Sequence, residues 1–326
     1  MTVSSVRGHN TGARLHFHAD YFEPACPVCG GREGRRWREL CGEWTRKCSE
    51  CRHIFAWPMP TEETMEAAYA LPADEFRRFF KVPKFDVSAY HQSSFDWQAR
   101  NAIAHVDHLD RLVPTRGTLF ELGCSSGILL EIAQKRGWRT CGIDPSIVSS
   151  RGEDVDANLG IQRATLKEAT LVPESFDVVF ASSVVEHLVD PRKYLERIRT
   201  LLKPGGTMLV VGLPNVGSFT IRLGIDRYIG NHPPGHLQYF CRQTIARLLR
   251  ECGFTIVQVR VYGMPETVLE WVFGKGSSGT EASPARLIGR PTLTSHLLGF
   301  TRRAMYVAFD KLNIGSVMEI VARRPQ

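Results

Sequence analysis

With 326 residues, 43% hydrophobic and 23% charged, the chain has the composition of a soluble globular protein, long enough for one main domain and a smaller appendage. A formal charge of +7 is too mild to specify a nucleic-acid or membrane partner by itself. There is no apolar run of about 18 residues to span a bilayer. Arg7, His9, Arg14 and His16 stand where a signal peptide would be apolar, so nine cysteines read as reduced thiols or metal ligands and a cytoplasmic location is expected.

In chain order, residues 1–23 read as a poorly ordered lead-in. Residues 24–60 carry two cysteine pairs, Cys26-x-x-Cys29 and Cys48-x-x-Cys51, 18 residues apart, and end at Pro58-Met59-Pro60. That spacing fits a zinc site in which each pair offers two thiolates to one tetrahedral ion. Four thiolates close the coordination sphere, so the expected role of Zn2+ is structural. Pro27 and Gly30 suit the first turn, whereas Arg52 stands where the second commonly has glycine. Cys41 is a spare thiol between the pairs, and His53 is an alternative ligand.

Residues 61–112 read as a helical connector. Thr61 and Thr64 suit helix starts, and Phe95–Leu112 has apolar residues at helical spacing. From residue 113 strands and helices alternate. Thr118–Leu122, Thr140–Ile143, Phe176–Ala181, Thr207–Leu213 and Thr255–Tyr262 read as strands. Ile128–Arg136, Pro191–Leu202 and Gln243–Cys252 read as helices, closed by Gly137, the Lys203–Gly206 turn and Gly253. This alternation predicts an α/β domain with a mostly parallel sheet and helices on both faces. Residues 264–312 read as a helical insertion or lid, and Val317–Ala322 as a last strand.

The first core strand runs into Glu121-Leu122-Gly123-Cys124-Ser125-Ser126-Gly127. A strand–Gly-x-x-x-Gly–helix turn lets backbone approach a ligand, because glycine has no Cβ in the way. The second strand ends at Asp144-Pro145, where a carboxylate can accept hydrogen bonds from ribose hydroxyls. Ser125 replaces the glycine that admits a pyrophosphate in dinucleotide sites, which favours an adenosine ligand without one.

Glu121–Gly127 resembles the first motif of class I S-adenosylmethionine-dependent methyltransferases. Asp144, Pro173–Val179, Val185–Pro191 and Leu202–Gly206 resemble the motifs that follow, in order, over residues 118–262. The resemblance implies a Rossmann-like seven-stranded sheet whose last strand is antiparallel. It implies that Glu121, Gly123, Cys124 and Gly127 border the methionine part of S-adenosylmethionine and that Asp144 and Pro145 hold the ribose. It places Thr165 and Leu166 at the adenine, and Ser182 and Ser183 at the methyl group and acceptor. Thr165 departs from the acidic or polar residue usual there. The segment Cys48–Phe55 followed by Pro58-Met59-Pro60 resembles the N-terminal zinc-binding part of methyltransferases from bacterial glycan and natural-product pathways.

Methyl transfer from a sulfonium needs alignment and, for a protonated acceptor, a base. The two candidates are His187, just after the fourth strand, and His236, in His232-Pro233-Pro234-Gly235-His236-Leu237-Gln238-Tyr239-Phe240. The latter resembles the acceptor segment of deoxysugar C-methyltransferases, but Pro234 and Gly235 replace its first His and Glu, which favours O- or N-methylation. The expected acceptor is a small molecule, sugar-linked or a natural-product intermediate. The alternative is a nucleic-acid methyltransferase using the zinc ribbon as binding module, with Arg32, Arg35, Arg36, Arg38, Arg46 and Lys47 around Trp37 and Trp44. Glu33, Glu39 and Glu43 dilute that patch, and the Asn/Asp-Pro-Pro-Tyr/Phe motif is absent after the fourth strand, so nucleic acid is the less favoured partner.

Overall fold

A computed structural model describes residues 18–40, 43–80, 87–146, 152–218, 221, 233–263, 308, 311–312 and 314–326. Among them no helix is long and apolar enough to cross a membrane. The lead-in before residue 18, and the lid expected over 264–312 apart from residues 308 and 311–312, lie outside the described residues.

The N-terminal part begins with β1 (Tyr21–Phe22), the hairpin β2 (Gly34–Leu40) and β3 (Glu43–Cys48), then β4 (Ile54–Ala56) and β5 (Met59–Pro60). Helices α1 (Glu62–Tyr69), α2 (Ala73–Phe79) and α3 (Val87–Leu112) follow. Thr61 caps α1 by accepting from the Thr64 amide at 3.1 Å, as its position before Glu62 predicts. Helix α3 starts at Val87, eight residues before the periodic segment read from the sequence.

The core comprises β6 (Thr118–Leu122), α4 (Ile128–Lys135), β7 (Arg139–Ile143), α5 (Glu153–Leu159), β8 (Ile161–Gln162) and β9 (Phe176–Ser182). It continues with α6 (Pro191–Leu201), β10 (Leu202–Pro214), β11 (Gln238–Tyr239), α7 (Arg242–Glu251), β12 (Thr255–Tyr262) and β13 (Val317–Arg323). Seven strands form one sheet in the order β12-β13-β10-β9-β6-β7-β8. β13 runs antiparallel to both β10 and β12, as expected of the last strand. The Lys203–Gly206 turn appears as a register shift inside β10, whose pairing with β9 jumps from Leu202↔Phe176 to Thr207↔Val178.

The buried strands alternate between two apolar layers. Val178, Phe180, Leu209 and Val211 pack with Ala102, Val106 and Leu109 of α3 and with Leu129 and Leu130 of α4. Val179, Ala181, Met208 and Val210 pack with Leu195 and Ile198 of α6 and Ile245 and Leu249 of α7. Side chains two apart share a face, so one strand serves both layers. Each fully buried large side chain contributes roughly 1.5–3 kcal/mol.

The second layer continues into the N-terminal part, since Cys26, Val28, Cys48, Phe55 and Met59 belong to the same buried cluster. The sheets explain this continuity. Strand β11, from the loop after β10, pairs antiparallel with β4 and completes the four-stranded sheet β11-β4-β3-β2. The Ala56 amide donates to the Leu237 carbonyl at 2.9 Å, and Arg192 of α6 donates to the Val28 carbonyl between the first cysteine pair.

Candidate active site and thiolate cluster

A cavity of about 390 Å³ opens at the carboxyl ends of β6, β7 and β9. Such crevices are where open α/β sheets bind ligands. Of the residues expected at the cofactor, Gly123, Asp144, Pro145, Thr165, Leu166, Ser182 and Ser183 line it. Glu121, Cys124 and Gly127, also expected at the cofactor, are buried and do not line it.

The loop is tight. The Gly123 and Cys124 amides both donate to the Ile143 carbonyl, at 2.9 and 3.0 Å, tying the end of β6 to β7. Gly123 has φ of +73°, and a Cβ there would lie 2.6 Å from Cγ2 of Val184. Cys124 packs on Gly142, where a Cβ would meet its Sγ at 3.0 Å, so the thiol fills space. Burial, with Glu121 and Asp144 nearby, pushes that thiol up and leaves it protonated. Burial, then the Asp144 charge, also raises the Glu121 carboxyl well above its ordinary range.

Asp144 is fixed at both oxygens, accepting from the Ser125 amide at 2.7 Å and the Ser146 amide at 2.8 Å. Arg163 was not legible in the sequence. It pairs with both Asp156 carboxylate oxygens at 2.8 Å and donates to the Ser125 carbonyl at 2.8 Å, stitching the glycine loop to α5. The Thr165 hydroxyl donates to Glu168 at 2.9 Å, so the departure noted there closes a turn. The far wall was also missed: Glu62, Met65 and Tyr69 of α1 and Phe76 of α2 line the cavity. A helix period shows which residues share a face but not which cavity that face covers.

The two histidines lie together, their rings crossing edge to face at 4.7 Å. His187 lines the cavity; His236 is buried and does not line it. The His187 Nδ1–H donates to the Gly235 carbonyl at 2.6 Å. A carbonyl only accepts, so the proton sits on Nδ1 and Nε2 keeps its lone pair. Burial lowers the pKa of His187 below the usual histidine value. Glu186 is buried, its Oε2 without a hydrogen-bond partner among the described residues, and burial pushes its carboxyl up to about 8. Glu186, His187 and His236 bring one potential ligand atom each to within 4.8 Å of one another.

The four knuckle cysteines converge. Cys26 and Cys51 sulfurs are 3.5 Å apart, those of Cys29 and Cys48 are 3.6 Å apart, and all four lie within 4.8 Å. A disulfide would need about 2.05 Å. A tetrahedral zinc with bonds of about 2.3 Å separates its sulfurs by about 3.8 Å, so the donor set fits that ion. Each knuckle turns through a left-handed residue after its second cysteine, Gly30 at φ +75° and Arg52 at +64°. Hydrogen bonding with Cys26 holds the Cys51 thiol below its ordinary range. In the adjoining hairpin Arg36 stacks over Trp44 at 4.8 Å and Arg46 over Trp57 at 4.9 Å.

Residues 95–259 match the family described as "Methyltransferase domain", about half of the chain. The chain belongs to this family of methyltransferase domains. It is 35% identical over 116 residues to the ubiquinone biosynthesis O-methyltransferase of Nitrobacter winogradskyi, covering 34% of this chain and 44% of that protein. The protein of the same name from Azorhizobium caulinodans is 30% identical over 135 residues, 39% of this chain and 53% of that one. The chain thus spans about half the length of the curated relatives it matches. Among solved structures, a 1,6-didemethyltoxoflavin-N1-methyltransferase from Burkholderia thailandensis superposes with a TM-score of 0.48 at 15% identity, covering 90% of this chain and all of that one.

Proposed function

We propose that the protein methylates a small-molecule acceptor with S-adenosylmethionine, at oxygen or nitrogen in preference to carbon. The observation that carries this reading is the single cavity wall joining Asp144, Ser182, Ser183 and His187. The glycine loop and Asp144 would hold the cofactor, with Pro145, Thr165 and Leu166 toward its adenosine. The bound sulfonium supplies an electrophilic methyl group. Asp144 and Glu66 on the lining, with Glu62 paired to Lys193 at 2.8 Å, place carboxylates on the cavity wall for that cation. His187, with Nε2 unprotonated, accepts the acceptor's proton as its oxygen or nitrogen forms the bond to the methyl carbon and the carbon–sulfur bond breaks. His236 packs against the His187 ring and supports it. The relatives named as O-methyltransferases make oxygen the first acceptor atom to test.

The chain is organised as a knuckle module over residues 24–60, a connector over 61–112 and a catalytic domain over 113–326. Cys26, Cys29, Cys48 and Cys51 hold one structural zinc. A cytoplasmic site of action and an acceptor from glycan or natural-product biosynthesis fit the reduced thiols and the N-terminal resemblance.

Calorimetry with S-adenosylhomocysteine tests the cofactor half. Wild type should bind, and Asp144→Ala should weaken binding at least about tenfold, the cost of charge-assisted ribose hydrogen bonds. Turnover against a panel of phenolic, sugar and amine acceptors tests the rest. His187→Ala should lower it about 100-fold or more while leaving cofactor affinity within threefold. Unchanged affinity in Asp144→Ala would remove the pocket assignment, and unchanged turnover in His187→Ala would remove the base.

A further inference from the structure

The buried amide of Gln238 joins the cysteine module to the catalytic cavity. Its Oε1 accepts from Nε2 of His53 at 2.9 Å, and both side chains are buried. Its Nε2 donates to the Leu188 carbonyl at 2.9 Å and the Val189 carbonyl at 3.3 Å. Leu188 and Val189 follow His187, and all three line the cavity. On the other side, His53 lies two residues after Cys51; its amide donates to the Cys51 sulfur at 3.4 Å and its carbonyl accepts from the Cys48 amide at 2.9 Å. The His53 ring also packs on Phe240 at 4.7 Å. The same segment bears on His187 by backbone. Leu237 donates to the Glu186 carbonyl at 2.8 Å, and Gly235 offers the carbonyl that fixes the His187 ring.

Three of the four polar capacities of the Gln238 amide are thereby used, one toward the knuckle and two toward the cavity wall. A core needing only bulk here would take leucine, without the burden of satisfying a buried amide. We propose that Gln238 is a positioning residue for methyl transfer, a clamp through which His53 of the cysteine knuckle holds the Glu186–Val189 segment and keeps the lone pair of His187 Nε2 aimed into the cavity. This rests on the functional reading above, because it gives that segment the acceptor side of the cavity. The knuckle then sets the geometry of the catalytic wall besides stabilising its own fold. Removing Gln238 leaves the Leu188 and Val189 carbonyls without their donor, removing His53 leaves the Gln238 amide without the partner that fixes its orientation, and either change lets the Gly235 carbonyl drift from Nδ1.

The test uses the full-length protein and two readouts that need no acceptor. Ring-nitrogen chemical shifts report the His187 tautomer, and calorimetry with S-adenosylhomocysteine reports the cavity. Wild type should show His187 protonated at Nδ1 alone. Gln238→Leu and His53→Leu should each give mixed tautomers and roughly tenfold weaker binding, as expected for losing a buried hydrogen bond at a cavity wall. His53→Gln places an amide donor near the lost Nε2 and should return both readouts to within about twofold of wild type. If Gln238→Leu does not fold, the His53 pair carries the same comparison. A fixed Nδ1 tautomer with wild-type affinity in the leucine variants, even with a lower melting temperature, overturns the clamp. A change in Gln238→Leu without one in His53→Leu overturns the knuckle's part in it. A wild-type protein that does not bind S-adenosylhomocysteine overturns the functional reading itself, and so is distinguished from failure of the clamp alone.

Discussion

Single positions at the glycine loop carry a double constraint. Gly123 combines φ of +73° with the Val184 methyl 2.6 Å from where a Cβ would sit. Gly123→Ala should destabilise the protein by about 1–3 kcal/mol, the usual cost of forcing a side chain into the left-handed region plus a clash. Urea unfolding monitored by circular dichroism measures it, and a loss below about 0.5 kcal/mol would show that the loop relaxes freely. Glu186 makes a prediction of another kind. Its folded pKa of about 8 lies above the ordinary 4.5, so the native state retains a proton that the unfolded chain releases. The stabilisation is complete below the unfolded value and is lost as pH rises through the folded one. The melting temperature of the ligand-free protein should therefore fall between pH 5 and 8 more steeply than that of Glu186→Gln. Parallel curves would mean that Glu186 titrates normally. Asp144, Gly123 and His187, each expected from a motif with a chemical reason, line the cavity, whereas His236 lies beside His187. Arg163 was not, since its partners Asp156 and the Ser125 carbonyl converge only when α5 folds back onto the loop.

At the scale of elements, the cysteine knuckles are short loops with little apolar area of their own, the situation in which a metal supplies the missing free energy. Purified protein should contain about one zinc per chain by elemental analysis. Cys26→Ser should lower that content and drop the melting temperature by roughly 5 °C or more, given the size of zinc-binding energies relative to a domain's stability. Full stability without metal would refute the site. Strands β6 and β12 and helices α4, α6 and α7 were read to within about a residue, whereas β10 starts at Leu202, five residues before the apolar run. Strands β8 and β11, each two residues long, have no period to read. The hairpin β2–β3 hid among charged residues: β2 is the edge of its sheet and needs no apolar alternation, and β3, between β2 and β4, buries only Thr45 and Cys48 among its described side chains.

For the whole molecule, β13 decides closure of the sheet. It lies between β10 and β12, antiparallel to both, with Ile320 fully buried opposite Val210 and Val259. Ile320→Ala should cost about 2–5 kcal/mol in denaturant unfolding, because strands on both sides keep the cavity from collapsing. A cost under about 1 kcal/mol would mean that the sheet edge is loosely held. The amino-acid sequence by itself determined the frame of the α/β domain and the residues at its crevice: a glycine loop, an acid one strand further on and strands alternating with helices are local patterns, each fixed by neighbours within a few residues. The paired cysteines likewise specified their donor set by spacing alone. Only the tertiary structure decided that α1 and α2 wall the cavity, that His187 rather than His236 faces it, and that β4 and β11 join the knuckle to the catalytic wall. Those facts depend on contacts between residues as far apart as His53 and Gln238, and such pairings arise from the packing of finished elements, which leaves no period in the chain to read.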